Sequence, residues 1–164
     1  MLPIPTDPLA QRVLLNGLRG VGPVTVRRLR EAFGGDLSVA LGAPADQLAK
    51  VEGVSRPVAA AIAARGFDWA GEMGRVRDLG FRLLSEGDVE WPAPLAKLWD
   101  PPLVLYAEGA HFPAERAVGI IGSRHCTTYG ASLARAFARD LAKDGWWIVS
   151  GLTRGIDTAA HEGA

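Results

Sequence analysis

The feature that most constrains this chain is a pair of glycine-ended apolar runs with one helical segment between them. Residues 118–130 read VGIIGSRHCTTYG and residues 146–164 read WWIVSGLTRGIDTAAHEGA. Short apolar runs that stop at a turn signal suit strands buried in a parallel sheet, whereas residues 131–143 between them have helical spacing. The order is strand (117–122), loop (123–130), helix (131–143), strand (146–151), second loop and the opening turn of another helix. That is a βαβ unit, so the fold class is α/β, with a parallel sheet expected to be covered on both faces. Neighbouring strand residues point to opposite faces, so Trp146 and Trp147 are each expected to pack beneath a flanking helix.

The first seventy residues are built differently. Ala, Leu, Arg and Val recur at helical spacing, broken by glycines, which predicts an all-helical module over residues 1–70. Residues 18–34 (LRGVGPVTVRRLREAFG) and 48–66 (LAKVEGVSRPVAAAIAARG) share one plan: an apolar residue, a Gly-Val turn and an amphipathic helix. Gly20-Val21-Gly22 and Gly53-Val54 stand where a helix-hairpin-helix places its hairpin, with Leu29 and Ile62 positioned to pack the second helix. Such a turn can expose backbone N–H groups to a phosphate, which makes Gly20, Val21 and Gly22 an accessory phosphate site. It can equally be a tight helix-helix packing turn. In the second copy Glu52 would repel a phosphate.

Residues 71–164 form the second predicted domain. Pro92, Pro94, Pro101 and Pro102 exclude a long helix there, and LVLY at 103–106 has the look of a short buried strand.

Charge totals assign no partner, because 18 Lys and Arg balance 18 Asp and Glu. A nucleic-acid site must therefore come from local clustering. Cys126 is the single cysteine, so no internal disulfide can form and no zinc-type Cys/His spacing is present. No metal or other cofactor is expected. The start of the chain lacks the charged and apolar regions of a signal peptide, and no apolar run approaches membrane-spanning length. A cytoplasmic protein without membrane contact is the expectation.

Both glycine-ended strands deliver polar groups to the C-terminal edge of the sheet, where open α/β sheets bind ligands. Gly122 lets the backbone approach a ligand, Ser123 offers a hydroxyl and an N–H, and Arg124 offers a planar fork of donors for phosphate oxygens. Ser150 and Gly151 close the adjacent strand, and Arg154, Gly155, Ile156 and Asp157 open the next helix. Two loops can grip one polyanion. Asp157 reads as a helix cap or a brace for Arg124 or Arg154, or as half of an acid-base pair with His161 one helical turn on. No Ser/His/Asp arrangement or second carboxylate accompanies them, so binding rather than catalysis is expected.

The runs IIGSR, YG and VSGLTRGIDTAAHEGA, with WPAPLAKLWDPPLVLYAEG upstream, resemble the DprA (Smf) DNA-processing family over about residues 79–164. Trp91 replaces the family's usual Tyr, and Thr153 its usual Ala. The resemblance implies an extended Rossmann-like domain preceded by helix-hairpin-helix or SAM-like helices. It also implies single-stranded DNA as ligand, protection of DNA taken up in natural transformation, loading of the RecA recombinase and a homodimeric full-length protein. Arg124 falls at the family's DNA-contacting arginine, with Gly122 and Ser123 beside it, and Ser150, Gly151, Gly155, Ile156 and Asp157 fall in the same pocket.

Family members continue with further strands, so the chain is expected to be an N-terminal part, with a frayed last helix. The alternatives are a nucleotide-processing enzyme on a related fold and a pure protein-docking module.

Overall fold

The computed structural model describes residues 2–110 and 116–164. They form two compact units, Met1–His111 and Phe112–Ala164.

Unit 1 contains six helices among its described residues: α1 (Pro8–Asn16), α2 (Pro23–Ala32), α3 (Leu37–Gly42), α4 (Ala45–Leu48), α5 (Arg56–Ala64) and α6 (Trp69–Asp78). Their starts are written locally. Asp7 accepts from the Ala10 N–H at 3.1 Å, Asp36 from Ser38 N–H at 2.8 Å and Asp68 from Gly71 N–H at 3.0 Å. Each satisfies a donor that the first helical turn leaves unpaired.

The repeat is visible as a pair of matched turns. The Val21 N–H bonds Leu18 carbonyl at 3.2 Å and the Val54 N–H bonds Val51 carbonyl at 3.0 Å. Gly20 and Gly53 take φ of 82° and 71°, which favours glycine at both. Proline opens α2 and α5, and Leu29 and Ile62 are fully buried in their helices. With Leu14, Leu15, Leu41 and Leu48 they make one continuous core.

Residues beyond 70 join this unit. α6 packs on α1 and on β1 (Arg82–Leu84), which pairs antiparallel with β2 (Leu105–Ala107), and Leu103 enters the helical core. Arg65, in the left-handed region at φ 49°, is buried. Its guanidinium donates to the carbonyls of Leu2 and Leu41, fastening the N-terminal segment to α3.

Unit 2 holds β3 (Ala117–Gly119), α7 (Thr128–Lys143), β4 (Trp147–Val149) and α8 (Ile156–Gly163). β3 and β4 are parallel, with Val118 opposite Ile148. The βαβ order is therefore as expected, but coverage is not. Val118 and Ile148 are shielded, whereas Ala117, Gly119, Trp147 and Val149 lie on the other face and are exposed. Trp147 is 41% exposed instead of packed beneath a helix, and Trp146 is half-buried beneath the Arg116 guanidinium, 5.2 Å from its ring centre. α7 packs against β4 as well as against α8, and only one face of the sheet is partly covered.

That helix pair rests on small residues. Ala134 and Ala138 of α7 and Ala159 and Ala160 of α8 are buried, and Gly163 lies against the Arg135 backbone. Alanine and glycine let two helices approach until their backbones nearly touch. Together with an Arg135–Glu162 ion pair, this seats α8 along its length, where a frayed helix was expected.

Candidate nucleic-acid interface

All nine residues singled out on the two loops lie at one edge of unit 2. The strand ends are tied first: Ile120 N–H donates to the Val149 carbonyl at 3.0 Å, and Ser150 Oγ donates to the Ile120 carbonyl at 2.7 Å. Ser150 is thus a crosslink between strands.

The first loop is shaped by Ser123, whose Oγ accepts from the His125 N–H at 3.1 Å, and by Thr127, which caps α7 by accepting from Gly130 N–H at 3.1 Å. The first loop then meets α8. Ile156 N–H donates to the Ser123 carbonyl at 3.2 Å, and Gly155, at φ 90°, passes so close to that carbonyl that a Cβ there would collide with it. A Cβ at Gly122 would stand 2.7 Å from Ile156 Cγ1. Glycine is required at both positions by close approach, and at Gly155 by backbone conformation as well.

Asp157 closes the arrangement from beneath. It is 5% exposed, and its Oδ2 accepts from Thr153 Oγ1 at 2.9 Å. A Cβ at Gly151 would reach within 2.8 Å of the same oxygen, so the bare glycine makes room for the carboxylate. Oδ1 has no hydrogen bond of ordinary geometry among the described residues. The Thr153 hydroxyl holds the carboxyl below the usual carboxylate range, against the opposing effect of burial. The Thr153 and Gly122 backbone N–H groups and the Ser150 hydroxyl assist. Asp157 is therefore a brace beneath both loops. His161 is exposed and makes no hydrogen bond to it among the described residues.

What remains on the outside is basic. Arg124 and Arg154 are exposed, and among the described residues neither makes a hydrogen bond or ion pair through its side chain. Leu152, between the two loops' anchor points, takes φ 55° and is 83% exposed. A leucine in the left-handed region is uncommon and strained, and its sequence carries no signal of it.

The accessory turn in unit 1 is only partly open. Gly22 has nothing within 4 Å of where a Cβ would be, but a Cβ at Gly20 would stand 3.1 Å from Val58 Cγ2, and Gly53 lies under the Arg28 guanidinium. Both turns therefore take part in packing between the two hairpins.

Sequence and structure comparisons agree on the relationship. The family model for DNA recombination-mediator protein A matches residues 82–164. The chain is 34% identical over 87 residues to the DNA processing protein DprA of Bacillus subtilis, covering 52% of this chain and 29% of that protein. It is 32% identical over 158 residues to protein Smf of Synechocystis, covering 88% of this chain and 38% of that protein. The X-ray structure of DprA from Streptococcus pneumoniae superposes with a TM-score of 0.65 at 26% identity, covering 96% of this chain and 53% of that one. The chain thus spans between about a quarter and two fifths of these two curated relatives. With a family model matching half of its length and relatives that carry the names DprA and Smf, this chain belongs to the DNA recombination-mediator protein A family.

Proposed function

We propose that unit 2 carries a grip for single-stranded DNA, in which Arg124 and Arg154 bind backbone phosphates from two clasped loops. The observation that carries this reading is the pairing of two exposed arginines, free of ion pairs among the described residues, with loops tied by the Ile156–Ser123 hydrogen bond. A guanidinium fork matches two phosphate oxygens and reads no base, which suits a protein acting on any incoming sequence. Gly122, Ser123, Ser150, Gly151, Gly155 and Ile156 form the platform. Asp157 acts from below, since a carboxylate presented to a phosphate would repel it.

The wider reading concerns the whole protein. It holds that incoming single strands are shielded in the cytoplasm during natural transformation and passed to a RecA recombinase by a homodimer. Unit 2 then contributes the first part of a Rossmann-like domain, and the hairpins of unit 1 are of the helix-hairpin-helix type. Gly20, Val21 and Gly22 would give an accessory phosphate contact through the open side of Gly22. Among the described residues no helix is long and apolar enough to cross a membrane.

The test is fluorescence anisotropy with labelled oligothymidylate across a salt series, using Arg124→Ala. Affinity is expected to fall about tenfold and the salt slope to flatten by about one unit, the signature of one lost phosphate contact. A variant that binds like the parent at every salt concentration would remove Arg124 from the interface. Affinity that does not rise from mononucleotide to oligonucleotide would favour a nucleotide-processing enzyme instead.

A further inference from the structure

Unit 1 contains a cleft of about 540 Å³ that the reading of unit 2 does not use. It lies between α2 and the segment after a short 3-10 turn, with Val26, Leu37 and Leu103 among its apolar lining. Its volume is in the range of small-ligand sites.

Three features of its lining define a ligand. The first is Trp99, which is 79% exposed although the Arg27 guanidinium sits 5.0 Å from its ring centre. Arg27 is held there by Asp100 at 3.0 Å and Glu31 at 3.3 Å, so one side of the indole is covered by a fixed cation and the rest of the ring is open. An indole left this exposed beside an apolar cleft offers a flat surface for another ring.

The second is a pair of arginines. Arg12 of α1 and Arg30 of α2 both line the cleft, and among the described residues neither side chain makes a hydrogen bond or ion pair. Arg12 is half-buried. Its loss of hydration lowers its guanidinium from the usual range, Glu86 opposes that, and the like charge of Arg30 adds to it. Glu86 and Asp88 act on Arg12 through space, but the N–H donors of both guanidinium groups are left unbonded among the described residues and can take an anion.

The third is acidic. Glu31 and Glu86 line the same cleft and present carboxylate acceptors. A bare polyanion would be repelled by them, and a plain apolar ligand would leave the arginines unpaired. A nucleotide satisfies all three: its base stacks, its exocyclic amine donates to a carboxylate, and its phosphate takes the arginine pair.

We propose that this cleft is a second nucleotide site, with the base on Trp99 and the phosphate between Arg12 and Arg30, filled by a free nucleotide or by one unit of a single strand. It is independent of the Arg124 interface in unit 2.

The experiment uses the full 164-residue chain and ¹H–¹⁵N NMR, with the Trp99 indole resonance assigned through Trp99→Phe. dCMP is titrated against inorganic phosphate and a short oligodeoxycytidylate. The Trp99 resonance is expected to move and saturate with dCMP, and more weakly or not at all with phosphate. In Arg12→Gln/Arg30→Gln the dCMP affinity should fall about tenfold or more, as two charge-assisted contacts are lost. Because Trp99 is exposed, Trp99→Ala leaves the core intact, and it should weaken dCMP, followed by ³¹P shift, by about tenfold. Tighter binding of the oligonucleotide identifies a strand as the source, and equal affinity a free nucleotide.

Arg124→Ala should leave the dCMP response at Trp99 unchanged while weakening strand binding in unit 2, which separates the two sites. A Trp99 resonance that stays still at every soluble concentration of dCMP would overturn the proposal. So would equal responses to phosphate and dCMP, which would make the cleft an anion pocket with no role for the base.

Discussion

The two units solve the problem of cohesion in opposite ways. Unit 1 buries leucine, isoleucine and valine from five helices in one core, with Leu14, Leu29, Leu41, Leu48 and Ile62 each at 0% exposure. Among the described residues of unit 2 the buried apolar side chains are four alanines, Ala134, Ala138, Ala159 and Ala160. Its larger apolar groups, including Tyr129, Phe137 and Val149, are exposed. Burial free energy scales with apolar area, so unit 1 is held by volume and unit 2 by close backbone approach and hydrogen bonds. A site on unit 2 therefore depends on a few exact contacts. The cleft of unit 1 rests on a frame held by a large apolar core.

The sharpest way to break this contrast is Leu41→Ala. Removing a fully buried leucine side chain should cost about 3 kcal/mol, the middle of the range for such truncations. Urea unfolding followed by amide exchange is expected to show protection lost throughout the helices of unit 1 while unit 2 amides change little. Equal loss of protection in both units would mean that they unfold as one body, and the contrast would be wrong.

Gly155→Ala is the corresponding change in unit 2. The methyl group meets the Ser123 carbonyl at a backbone conformation that alanine adopts poorly, at a cost of about 1–3 kcal/mol. Shifts should be confined to the two loops and α8, and oligothymidylate affinity should fall together with the loss of the Ile156–Ser123 hydrogen bond. Wild-type binding by this variant would detach the clasp from the interface.

The smallest expected effect is on pH. The Asp157 carboxyl is held below its ordinary value in the folded loops, chiefly by Thr153. A depressed carboxylate stabilises the folded loops fully above the unfolded value, about pH 3.9, and that stabilisation is lost as pH falls through the lower folded value. Loop resonances of unit 2 should therefore stay in place on acidification to about pH 4 and begin to move only below it. Asp157→Asn should abolish that acid transition while unit 1 titrates as before. A transition centred above the ordinary carboxylate value would show that burial outweighs the hydrogen bonds.

Much of the local order is legible in the residues. Both strands formed within their expected runs but stop short of the glycines at 122 and 151, β3 at Gly119 and β4 at Val149; the residues between them formed α7, and the spacing of Leu29 and Ile62 from their glycine turns identified two buried anchors in matched hairpins. α7 begins at Thr128 rather than at residue 131, because the Thr127 cap lets the helix start within the loop. The two loops could be placed at one edge because strand order alone puts them there. Trp99, by contrast, carried no signal: it sits in a proline-rich stretch with no periodicity, and its meaning depends on α2 passing beside it.

Sequence by itself determined the order of elements, the hairpin repeat and the residue types available at each loop. These follow from short-range causes: the left-handed conformations of Gly20 and Gly53, the proline starts of α2 and α5, the capping aspartates and the helical period. Tertiary structure alone decided that Asp157 lies beneath the loops instead of facing a ligand, and that only one face of the β3–β4 sheet is partly covered. It also brought Arg12, Arg30 and Trp99 to one cleft. Each of these depends on contacts between residues tens of positions apart. Their free energy comes from burial and close approach, which no local pattern encodes.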